Sequence, residues 1–175
     1  LPDRFAVGVG GTECTPWNRS SETLMITIAL ALHLLATLIW VGGMFFAIMV
    51  LRLAAGELDP PIRVPLWGRV FQRFFPWVWM AVIILPLSGY WMIFSVWGGF
   101  AGLPLHVHIM QALGLIMILI YLHIWFAPYR RFRIALSNSD IPEAGKNLNQ
   151  IRILVTVNLI IGLVTSVVGS TGRYW

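Results

Sequence analysis

The chain has 175 residues, 58% of them hydrophobic and only 11% charged, with a formal net charge of +5. A soluble domain of this length carries about a quarter of its residues as charges, so composition excludes an ordinary water-soluble globule. The basic residues are spread around loops, which gives no nucleic-acid reading, and the single cysteine, Cys14, excludes an internal disulfide.

Residues 1–21 read as an N-terminal segment without the apolar centre of a signal peptide. Ser20 and Ser21 offer capping hydroxyls, and the apolar run Leu24–Leu51 predicts a first membrane helix over about 22–52. Pro60 and Pro61 end it. At ~100° per residue, Trp40 and Met44 project within ~20° of His33, and Thr37 about 40° away. These residues are expected to form one inward face, with Met49 turned about 140° from Met44.

A second helix is predicted over about 66–98. Its entry carries Arg69 and Arg73 among Trp67, Phe71, Phe74, Phe75, Trp77 and Trp79, an amphipathic approach suited to the headgroup zone. Pro86 predicts a kink. "WGGFAGLP" at 97–104 is an uncharged turn. The third helix, over about 104–131, holds His106, His108, Met110 and His123. His108 and His123 are ~60° apart and are expected to face the bundle, with His106 turned about 160° from His108. "SNSDIPEAGKN" reads as a polar loop. The fourth helix, over about 148–172, carries a stripe of Asn158, Gly162, Thr165, Ser166 and Gly169, small enough for close helix approach.

Arg52, Arg63, Arg69, Arg73, Arg130, Arg131, Arg133, Lys146 and Arg152 flank the first and third connections, whereas Arg4, Arg19 and Arg173 lie elsewhere. The positive-inside rule makes those two connections cytoplasmic and puts both termini on the outer, periplasmic side. The expected fold is an all-α integral membrane protein: residues 22–175 form an antiparallel four-transmembrane-helix bundle in the lipid bilayer.

A histidine within a membrane helix is a functional candidate by default, and this chain has four histidines. Two chemistries compete for them. Haem b needs axial imidazoles on facing helices at matching depth. From the middle of their runs, His33 lies roughly 7 Å and His108 about 13 Å toward the outside, a difference that helix tilt removes. They are the leading ligand pair, with Thr37, Trp40, Asn158 and Gly162 shaping the pocket. Arg152 is a candidate contact for a propionate or a lipid phosphate near the inner face. His123, about 10 Å inward, pairs better in depth with Met44, a weaker Met/His arrangement. The alternative is copper: thioether and imidazole ligands suit Cu(I), and His106, His108 and Met110 sit at the outer mouth with Met44 further in. No Asp or Glu interrupts the four apolar runs, which disfavours a proton relay.

"LHLLATLIWVGGMFF", "RVFQRFFPWVWMAVIILPLSGYW" and "IRILVTVNLIIGLVTSVVGSTG" together resemble the CopD (copper-resistance D) family, over about His33 to Gly172. The resemblance implies a bacterial inner-membrane, multi-pass protein linked with copper uptake, some relatives of which hold b-type haem. The spacing of His33 and Trp40 is also similar to that of HemJ-type protoporphyrinogen oxidases, but the chain lacks the Pro-Arg and following His of that group. The leading expectation is therefore haem b electron transfer with a periplasmic or membrane redox partner. Copper transport is the alternative, and an accessory subunit of a larger membrane complex is a third reading. An electron-transfer or transport protein is expected rather than a stand-alone enzyme.

Overall fold

The computed structural model describes residues 16–174; Cys14, Arg4 and most of the N-terminal segment lie outside the described residues. Among the described residues four helices are long and apolar enough to cross a membrane: Ser21–Gly56, Pro60–Trp97, Leu105–Ser137 and Ile141–Thr171. They are called the first to fourth helices below. At ~1.5 Å per residue they reach roughly 45–57 Å, more than the ~30 Å hydrocarbon core, so each carries turns into the headgroup zone. Between 17% and 33% of each span's most apolar stretch is buried within the protein. The outward Leu34, Leu87, Leu119 and Phe126 therefore meet lipid tails.

The helix boundaries follow local chemistry that the apolar runs do not report. Helix already covers residues 16–20 ahead of the first span, a turn before the expected serine caps. The first helix widens into π turns at Leu38–Gly42 and Phe46–Leu51. Pro60 and Pro61 do more than stop the first helix: they open the second, with Asp59 extended before them as its cap residue. The amphipathic approach and the membrane run are then one continuous helix, with Pro65, Pro76 and Pro86 inside it. Gly98, at φ 67°, takes the left-handed conformation that ends it.

The third helix runs past its expected end because a π turn at Trp125–Tyr129 accommodates Pro128, whose ring and absent N–H do not fit an unbroken α ladder. The fourth helix starts well before residue 148. Asp140 accepts a 3.0 Å bond from the Glu143 amide, and Pro142 sits in the first turn. These are helix-start signals, so most of the expected polar loop is helical and Asn138–Asp140 alone make the turn.

The first helix packs chiefly on the second and the third on the fourth, while the fourth also touches the first and second. The third and fourth helices meet in antiparallel register: His106 lies against Gly172, Met110 against Gly169 and Met117 against Gly162. At the arginine-bearing end, Trp67, Phe71, Phe75, Tyr121, Tyr129 and Phe132 are buried together. Phe71 stacks on Phe75 at 5.1 Å, and Phe75 meets Tyr129 edge-on at 4.6 Å. The Tyr121 hydroxyl donates to the Phe75 carbonyl at 3.2 Å, tying the third helix to the second.

Candidate functional site

Two seams of the bundle hold the residues expected to carry the site, and the first is between the first and second helices. His33, Thr37, Trp40 and Met44 share the inward face of the first helix: Trp40 and Met44 are buried, His33 and Thr37 half-buried. The Thr37 hydroxyl donates back to the His33 carbonyl at 2.8 Å, which leaves it committed to its own helix. His33 Nδ1 lies 2.9 Å from the Ser88 hydroxyl. That hydroxyl also lies 2.6 Å from the Ile84 carbonyl and 3.3 Å from the Leu85 carbonyl. When its one proton goes to either carbonyl, Ser88 accepts from His33, an arrangement that puts the imidazole proton on Nδ1 and leaves the Nε2 lone pair free. The backbone of Gly89 lies under the ring edge.

The second seam runs where the third, fourth and first helices meet. Met110 lies over Gly169, where an added Cβ would come 3.1 Å from its sulfur. Met117 is buried over Gly162, in a space shared with Val41 of the first helix. About a turn deeper, Asn158 Nδ2 donates to the Met44 sulfur at 3.8 Å. Asn158 is 1% exposed and its Oδ1 has no hydrogen-bond partner among the described residues. Glycines at 162 and 169 give the thioethers room, and the helix hydrogen bonds of Thr165 and Ser166 to their own backbone occupy the remaining hydroxyls of the stripe. The result is a line of soft sulfur atoms, with His106 at its outer end against Gly172.

The histidines of the third helix are turned opposite to expectation. His108 and His123 are exposed, whereas His106 is half-buried against the fourth helix. The glycine stripe selects this face, because it is the surface against which a bulky side chain packs closest. His33 and His108 consequently share no space: one ring turns to the second helix and the other points away from the bundle. The first and third helices close on each other where Trp40 meets Tyr121 edge-on at 6.1 Å. A haem held between two imidazoles needs both to face one ring-sized gap, and these residues do not fit it. His123 is likewise not brought to Met44, whose sulfur faces Asn158.

Among the described residues no three His, Cys, Asp or Glu side chains converge on one point. Met117 was not singled out by the sequence reading. Its signal was the matched spacing of Met110 and Met117 on one helix and Gly162 and Gly169 on the next.

A family model described as copper resistance protein D matches residues 68–171, from Gly68 in the second helix through the third and fourth. The helix that carries His33 lies outside the match. No curated protein and no solved structure matches the chain.

Proposed function

Because the chain belongs to the CopD family, with more than half its length inside the match, we propose that this multi-pass membrane protein moves Cu(I) along the sulfur-lined seam. His106 and Met110 take the ion at the end away from the arginines, and Met117 and Met44 receive it deeper in the bundle. The observation that carries this reading is the placement of half-buried Met110 and buried Met117 and Met44 along one seam against Gly169, Gly162 and Asn158. Thioethers and imidazole are soft ligands that favour Cu(I) over the hard cations of the cell. Met110 and Met117 are separated by roughly 10 Å along their helix, so they serve as successive stations rather than as one chelate. Such spacing suits passage, since an ion held by few ligands at a time leaves each station readily. The Asn158 carbonyl oxygen adds a neutral acceptor at the deepest station.

The charge bias supports an orientation in which the arginine-rich end faces the cytoplasm and the His106 end faces the periplasm of a bacterial inner membrane. Copper then enters from the outer side.

The test is copper accumulation in cells producing the full chain, with Cu(I) binding by the purified protein measured against a competing chelator. Met110→Leu combined with Met117→Leu keeps the apolar volume and removes both sulfurs. It is expected to lower Cu(I) affinity and uptake roughly tenfold or more, while exposed His108→Ala has little effect. Unchanged uptake in a folded double variant would overturn the proposal, as would a haem absorption band that is lost on His33→Ala.

A further inference from the structure

Beyond the copper path, a second feature lies at the opposite end of the bundle. A cavity of ≈470 Å³ opens between the first, second and fourth helices, and Arg73, Arg152 and Trp67 line it together with apolar side chains. We propose that this groove binds an anionic phospholipid, its phosphate held by Arg73 and Arg152 and one acyl chain lying along the apolar floor.

Unmet donors point to an anion. Trp67 is 1% exposed, yet its indole Nε1–H has no acceptor among the described residues. The Nε of Arg152 is also buried without a partner. The Arg152 guanidinium lies 5.2 Å over the Trp67 ring, so the two donors belong to one cluster. A buried N–H with no acceptor is costly and rarely left so. The charge is equally unbalanced. Arg152 has Arg52 and Arg63 as its electrostatic neighbours, and the ion pair found among the described residues is elsewhere, between Lys146 and Glu143. A phosphate diester in the groove supplies the missing charge beside the two lining guanidiniums.

Depth and shape point to a lipid as its source. Arg73 lies just before Pro76 and Arg152 just before Ile153, where the apolar runs of the second and fourth helices begin. Both arginines thus sit at the level of the headgroup phosphates, where basic residues meet anionic lipid. The rest of the lining is hydrocarbon and aromatic: Phe46, Ala47 and Leu51 from the first helix, Phe74 from the second and Val155 from the fourth. Gly43 shapes the floor, since a Cβ there would overlap the Phe74 ring. A hydrated free phosphate gains nothing from such walls, whereas an acyl chain fills them.

Native mass spectrometry of the detergent-solubilised full chain tests this. Phosphatidylglycerol and phosphatidylcholine with identical acyl chains are offered to the unaltered protein, with inorganic phosphate as competitor. The expected result is one retained phosphatidylglycerol, preferred on the order of tenfold and not displaced by inorganic phosphate. Arg73→Gln with Arg152→Gln is expected to erase the preference, Trp67→Phe to reduce it, and Arg130→Gln, which is not among the residues lining the groove, to preserve it. Equal retention of the two lipids by the unaltered chain would overturn the proposal without recourse to any variant. Complete displacement by inorganic phosphate would overturn it too, as would an intact preference in the double variant.

Discussion

The two ends of the bundle are built differently. At the arginine end, aromatic rings from the second and third helices interlock, and Trp67, Phe132 and Ile151 are almost wholly enclosed. At the histidine end, His33 and His106 are half-buried, His108 is exposed, and Phe94 and Phe100 meet edge-on at 5.6 Å near the surface. The difference separates a closely interlocked end from a loosely packed one. In lipid, apolar burial between helices gains little because the tails are as apolar as the side chains, so close packing holds the helices together. Interlocked rings provide that packing at one end. The other end has small residues, thioethers and few enclosed rings, which suits the copper path proposed above.

The largest effect expected follows from this contrast. Phe75 is 3% exposed and touches Phe71, Tyr121, Trp125 and Tyr129. Phe75→Ala should lower unfolding stability in detergent by about 3–5 kcal/mol. Phe94, 58% exposed, should lose little on the same substitution. Equal losses at the two positions would erase the distinction between the ends.

A smaller effect is expected at the seam that joins the two ends. Gly162→Leu forces a side chain into the space held by Met117 and Val41, whereas Gly114 has nothing within 4 Å of an added Cβ. Overpacking should cost about 1–3 kcal/mol at Gly162, with Gly114→Leu near neutral. Thermal unfolding of the two variants side by side checks this. A matching loss at Gly114 would mean that the third and fourth helices are not in the register that pairs Met110 with Gly169.

How much of this was legible in the sequence depends on whether a property is local or relative. Four membrane helices follow from apolar length alone, and the opposition of His106 to His108 follows from helical period. Which of the two faces the bundle does not, because period gives angles within a helix and leaves its rotation free. The glycine stripe of the fourth helix supplied the reference, but only once its register with Met110 and Met117 was known. The π turns at Leu38–Gly42 and Phe46–Leu51 contain no proline to announce them. The early start of the fourth helix was written in Asp140, Pro142 and Glu143 and was hidden by the polarity of the surrounding loop. The arginine groove needed three helices at once; sequence offered Arg152 as a phosphate contact without showing the walls beside it.

The smallest effect expected sharpens the reading of the histidine end. Ser88→Ala removes the hydroxyl that faces His33 Nδ1 at 2.9 Å. Single interhelical hydrogen bonds of this kind within membranes contribute on average about 0.6 kcal/mol, so the bundle should unfold almost as before. The imidazole should respond more than the fold does. Nitrogen NMR of the unaltered protein should show Nδ1 protonated and Nε2 bare, and Ser88→Ala should yield a mixture of the two tautomers. Protonated Nε2 in the unaltered chain would reverse the donor and acceptor roles and remove the one nitrogen that His33 offers as a ligand. A contact that moved the proton while leaving stability almost unchanged would be an orienting contact, one that acts on the direction of the His33 lone pair rather than on the packing of the first and second helices.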